Sequence, residues 1–256
     1  MNLGALLEGK TIFITGASSG IGAHFARVSA ACGAHVALAA RRVEELRAME
    51  SDLTSRGAAG VLSIQLDVAD EASARGAIKA AREKFGALDV VVNNAGVAGG
   101  SMAMAMEMKE FDSILDVNVR GAFIVAQEAA RAWREAKRGG AIINIASVLG
   151  FRQAGGVSAY AMSKAAVVQM TKTLALEWAR YGIRVNGIAP GYFDTPMNEG
   201  YFDSDVGKTM IKRIPMRRIG DLCDLDGPFL LLATEASRFM TGATIPVDGG
   251  HLVNSL

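Results

Sequence analysis

Thr11-Ile12-Phe13-Ile14-Thr15-Gly16-Ala17-Ser18-Ser19-Gly20-Ile21-Gly22 is the stretch that decides the fold. Its first five residues are a short β-rich apolar run, so a strand is predicted over 11–15. A helix is predicted over 20–31, stopping near Gly33. Strand, glycine turn and helix start together make an anion site. The first N–H groups of the helix lack partners and carry partial positive charge. Gly16 permits the tight turn, Gly20 lets a phosphate approach the backbone, and Gly22 lets the helix pack closely. Gly16, Ser18, Ser19, Gly20, Ile21 and Gly22 are therefore candidate dinucleotide contacts.

Beyond this unit the pattern repeats. Strands are predicted at 35–40, 61–66, 88–93, 141–146, 183–189 and 243–247. Helices are predicted at 43–56, 71–85 and 158–181, with a further helical stretch at 111–137 broken near Asn118-Val119. Apolar strands alternating with helices imply βαβ units and a parallel sheet covered on both faces. The predicted fold class is α/β, a doubly wound parallel sheet. All five prolines lie beyond residue 189, so an irregular segment near 192–215 is expected to form a substrate lid.

Composition narrows the function. The chain has 256 residues, within the reach of one α/β domain of about 250. It is 50% hydrophobic and 21% charged, which excludes disorder. A net charge of +1 gives no bulk attraction to nucleic acid or anionic lipid, so neither is an expected partner. Two cysteines and three histidines make neither a disulfide framework nor a ready metal cluster, and no metal is expected. No apolar run approaches the roughly 20 residues of a membrane span. A soluble, cytoplasmic protein of a reducing compartment is expected. The final Asn254-Ser255-Leu256 is only a loose echo of a peroxisomal address.

At the end of the second strand, where a dinucleotide site often carries an acidic residue, stand Arg41 and Arg42. A carboxylate there would favour a ribose with both hydroxyls; guanidiniums favour a 2′-phosphate. NADP(H) is the expected cofactor, with NAD(H) as the alternative. Tyr160 and Lys164 are spaced i, i+4 on a predicted helix and share a face. A phenol titrates near 10, and a neighbouring ammonium favours its phenolate. Tyr160 is expected to act as general acid in carbonyl reduction and as base in alcohol oxidation.

The chain resembles the short-chain dehydrogenase/reductase family in its compact, single-domain, Rossmann-like form. The resemblance rests on motifs in the family's order: TGASSGIG at 15–22, Asp67-Val68, Asn93-Asn94-Ala95-Gly96, Asn118, Ser147, Tyr160-x-x-x-Lys164, Pro190-Gly191 and Asp248-Gly249-Gly250. It implies that Ser147 holds the substrate oxygen beside Tyr160. It implies that Lys164 binds the nicotinamide ribose and that Asn118 holds a water linking Lys164 to solvent. Asp67 and Val68 would take the adenine edge. Asn94, Ala95 and Gly96 would close over a ribose, and Pro190, Gly191, Phe193 and Thr195 would hold the nicotinamide end. A homotetramer with the 158–181 helix and the last strand in its contacts is implied too. The substrate is expected to be a small carbonyl or alcohol. Val97, Leu149, Phe151 and the run Met102, Met104, Met106, Met108 favour a neutral, partly apolar ketone. Lys208, Lys212, Arg213, Arg217 and Arg218 are expected to be a solvated face rather than an anion receiver. A non-catalytic dinucleotide-binding regulator is the alternative from another class; the complete set of four catalytic residues argues against it.

Overall fold

A computed structural model describes residues 2–253. The Asn254-Ser255-Leu256 ending lies outside the described residues. Seven strands form one sheet: β1 (Thr11–Thr15), β2 (His35–Ala40), β3 (Gly60–Gln65), β4 (Val90–Asn93), β5 (Gly140–Ile145), β6 (Ile183–Pro190) and β7 (Thr244–Val247). Their order is β3-β2-β1-β4-β5-β6-β7, and every neighbouring pair is parallel. This is a Rossmann-like doubly wound sheet.

The apolar strands are explained by burial on both faces. Ile12 and Ile14 point to a core built with α1 (Gly20–Ala31), α2 (Val43–Ser55) and α8 (Asp226–Ala233). Phe13 points the other way, to a core with α3 (Glu71–Phe85), α5 (Ala122–Glu135) and α6 (Ser158–Trp178). α3 shows both terminal signals: Asp70 accepts from the Ala72 and Ser73 N–H groups, and Gly86 closes the helix with φ +76°.

Two expectations are corrected. The helical stretch is not broken at Asn118-Val119. α4 (Met108–Leu115) passes through a π-helical turn, Asp116–Gly121, directly into α5. A π turn keeps the chain helical while re-aiming one turn's side chains. The segment around 192–215 also contains a short helix, α7 (Asp205–Ile211), started by Ser204 accepting from the Gly207 N–H.

β1 and β4 are adjacent, while the crossovers from them lead to opposite sides of the sheet. At such a switch point the loops at the strands' carboxyl ends diverge and leave a crevice.

Candidate active site

The crevice is a cleft of about 610 Å³ along the carboxyl ends of the strands. Gly16, Ser18, Ser19, Gly20, Ile21, Arg41, Arg42, Asp67, Val68, Asn94, Ala95, Gly96, Ser147, Tyr160, Lys164, Pro190, Gly191, Phe193 and Thr195 all line it. Of the candidate residues, Gly22 and Asn118 do not; each stands one layer behind the wall.

The glycine loop is held open by a side chain from β4's end. Asn94 Nδ2 donates to the Thr15 and Gly16 carbonyls at 2.9 and 3.1 Å. The Asn94 and Ala95 N–H groups donate to Thr15 Oγ1 at 3.0 and 2.9 Å. The Asn94 amide nitrogen therefore braces the loop, while the residue also lines the cleft. Gly22 sits against this brace: a Cβ there would lie 2.4 Å from Asn94 Nδ2 and 2.5 Å from the Gly16 carbonyl oxygen. Gly16 has φ +64°, a backbone state costly for other residues. Ser19, the N-cap of α1, makes no side-chain capping bond, so the helix's first N–H groups remain available to an anion. Thr15 was not singled out in the sequence; its only signal is its place at the strand end.

At the β2 end, both arginines are exposed. Arg42 donates to Ser18 Oγ at 3.1 Å and pairs with Glu45 at 2.9 Å. Arg41 makes no hydrogen bond or ion pair among the described residues. Asp67 Oδ1 takes the Ala69 N–H at 3.0 Å. These groups fit a dinucleotide: an uncapped helix start behind a glycine turn, then an uncommitted guanidinium at the far end of the cleft.

At the other end, Ser147 follows β5 and is buried, with Oγ accepting from the Leu149 N–H at 3.1 Å. Tyr160 and Lys164 lie one turn apart on α6, with Lys164 Nζ 5.6 Å from the Tyr160 ring centroid. Lys164 is 5% exposed, and Nζ donates to the Ile145 carbonyl at 2.8 Å. Burial pulls its pKa down to about 8. Burial pushes the Tyr160 phenol up, opposed by its hydrogen bond with Ser147. That reverses the lowering expected from the ammonium. Desolvation of the phenolate is the largest cause of the upward shift.

Asn118 comes from the π turn and is 2% exposed. Its Oδ1 accepts from the Val97 N–H at 2.8 Å. Its Nδ2 donates to the Val97 carbonyl and to Ser163 Oγ, each at 2.9 Å. Ser163 Oγ donates in turn to the Tyr160 carbonyl at 2.7 Å. The side chain joins the 94–97 loop to α6: both Nδ2 hydrogens are committed, while Oδ1 accepts a single bond.

Other expectations change as well. Phe193 borders the cleft, but its ring is 3% exposed and packs on Gly220. Phe151, Met102, Met104 and Met108 are exposed, and neither they nor Met106 line the cleft. Val97 and Leu149 do line it as expected, joined by Val157, Met197 and a pair of tyrosines. Tyr192 stacks on Tyr201 at 6.5 Å and meets Phe202 and His251 edge-on. Those aromatics are dispersed in sequence, and only the fold collects them. The basic residues from Lys208 to Arg218 are exposed and away from the cleft. His24 Nε2 lies 2.6 Å from Asp226 Oδ1. Cys223 is exposed. Among the described residues no cluster of His, Cys, Asp or Glu is arranged to hold a metal, and no helix is long and apolar enough to cross a membrane.

Residues 16–251 match the family model described as enoyl-(acyl carrier protein) reductase. The chain is 37% identical over 247 residues to 2-dehydro-3-deoxy-D-gluconate 5-dehydrogenase of Dickeya dadantii, covering 96% of each. It is 36% identical to 3-oxoacyl-[acyl-carrier-protein] reductase of Thermotoga maritima, covering 96% of this chain and 99% of that one. A crystal structure of a gluconate 5-dehydrogenase from Burkholderia cenocepacia, in complex with NADP and tartrate, superposes with a TM-score of 0.94 at 36% identity and full coverage of both chains. The fold and site define a dinucleotide-dependent oxidoreductase. The chain belongs to the short-chain dehydrogenase/reductase family and is an NAD(P)-dependent enzyme acting on CH–OH groups.

Proposed function

We propose that this enzyme interconverts a ketone or aldehyde and the corresponding alcohol with NADP(H), using Tyr160 as the proton donor and acceptor. The observation that carries the reading is the grouping of Ser147, Tyr160 and Lys164 on one wall of a cleft whose other end is the braced glycine loop. Gly16, Ser18–Ile21 and Arg41 would hold the pyrophosphate and 2′-phosphate, and Lys164 and the 190–195 loop the nicotinamide half. When bound, the cofactor supplies or accepts the hydride. Ser147 Oγ donates to the substrate oxygen and fixes it beside the phenol. Tyr160, kept protonated at neutral pH by burial, gives its proton to that oxygen in reduction. Lys164, still mostly ammonium at pH 7, then stabilises the phenolate left behind. Asn118 acts as a positioning residue, tying the 94–97 loop to the Tyr160 helix.

The Arg42–Glu45 pair favours a second reading of the cofactor. A guanidinium already matched by a carboxylate discriminates less, so NAD(H) use remains the competing reading. Residues 1–256 are read as one domain with a lid at 192–215. Free thiols at Cys32 and Cys223 support a reducing, cytoplasmic setting. Leu176 on α6 and Phe239 before β7 are 83% and 102% exposed, which supports a homotetramer burying those faces.

The test is a panel of ketones and alcohols with both cofactors, run on the wild type and on Tyr160→Phe. The variant should lose roughly 10²–10⁴ in kcat while still binding cofactor. A variant within tenfold of the wild type, or no turnover with either cofactor, refutes the reading.

A further inference from the structure

The substrate end of the cleft is the part that the family motifs do not describe. It is formed by the loops after β5 and β6, through Leu149, Val157, Tyr192, Met197 and Tyr201. Three cations line the whole cleft: Arg41, Arg42 and Lys164. The arginines follow β2, three strand spacings from β5, or about 14 Å across the sheet. Lys164 is buried and committed to the Ile145 carbonyl. The lid segment from 195 to 201 adds one formal charge to the wall, and it is negative: Glu199.

The charge of Arg152 reaches the Tyr192 phenol, where it opposes the upward push of burial. The Arg152 guanidinium donates to the His251 carbonyl, and it does not line the cleft. A carboxylate-bearing substrate would thus lose water without a cation in the wall to pair with, and would face Glu199. Several relatives are named for sugar acids, which carry such a carboxylate.

We propose that the substrate is an uncharged carbonyl or alcohol with an apolar face, and that Glu199 on the lid selects against carboxylates. The proposal rests on the oxidoreductase reading above. Leu149, Val157 and Met197 would take the apolar face. Tyr192, whose ring is fixed by Tyr201, Phe202 and His251, offers a phenol to a neutral oxygen on the substrate.

The test compares 4-oxocyclohexanecarboxamide with 4-oxocyclohexanecarboxylate, equal in size and different in charge, under saturating NADPH. At low ionic strength the amide should be favoured at least about tenfold in kcat/KM. Glu199→Gln should narrow that ratio about two- to fivefold. Sodium chloride at about 0.5 M, where screening acts over a few ångströms, should narrow it in the wild type but not in Glu199→Gln. Arg152→Ala should leave it unchanged. Equal use of the two ketones, preference for the carboxylate, or a loss confined to the carboxylate in Arg152→Ala overturns the proposal while leaving the oxidoreductase reading intact. No turnover of either ketone or of a simple diketone with either cofactor overturns both.

Discussion

Lys164→Met should change how stability depends on pH, and the size of the change follows from burial. Lys164 is 5% exposed and its pKa is held at about 8, against 10.5 for a free side chain. Between those two values the unfolded chain binds more protons than the folded one, so stability rises with pH across that window. The penalty for the buried ammonium is complete below pH 8 and absent above 10.5. At about 1.36 kcal/mol per pH unit it amounts to roughly 3 kcal/mol when complete. Raising the pH from about 7 to about 9.5 relieves roughly 2 kcal/mol of it. Methionine fills similar space and does not titrate. Urea unfolding of both proteins at the two pH values measures the difference directly. Wild type should gain about 2 kcal/mol on Lys164→Met as the pH rises. Tyr160, whose pKa burial pushes up, is present in both and cancels. A stability gap that stays constant within about 0.5 kcal/mol, or moves the other way, refutes a buried, desolvated ammonium. Lys164→Met should also be inactive, so a more stable but dead enzyme at neutral pH is the expected combination.

Arg41→Asp combined with Arg42→Ala should shift the kcat/KM ratio toward NAD(H) by about tenfold or more, since it replaces phosphate donors with a charge that repels phosphate; an unchanged ratio refutes the assignment. Gly22→Ala should destabilise by about 1–3 kcal/mol, measured by thermal unfolding, because its methyl group would meet Asn94 Nδ2 and the Gly16 carbonyl. Light scattering should give four times the chain mass, and Phe239→Glu should lower it; a wild-type monomer at micromolar concentration removes the tetramer.

The strands were legible because each is a short apolar run bounded by polar or glycine residues, and burial on both faces leaves no other pattern. Tyr160 and Lys164 were legible for a similar reason: helical spacing alone puts them together. The π turn at Asp116–Gly121 was not. Its sequence, Asp-Val-Asn-Val-Arg-Gly, is poor in strong helix formers and reads as a break; the hydrogen bonds of Asn118 to Val97 and Ser163 keep it helical. α8 was missed because Gly227 and Pro228 fall in its first turn, where proline is tolerated. The tyrosine pair of the lid lies nine residues apart with no period, so nothing before the fold links them. The direction of the Tyr160 shift needed burial, which spacing does not encode.

The brace from Asn94 to Thr15 and Gly16 also bears on the order of assembly. The two ends are 78 to 80 residues apart, and β4 must join β1 before they meet. A nascent chain that has emerged only as far as β3 holds every residue of the glycine turn and both arginines, yet lacks what fixes the turn's shape. Affinity for the dinucleotide should therefore arise in one step, when β4 docks, rather than grow as the first half of the sheet accumulates.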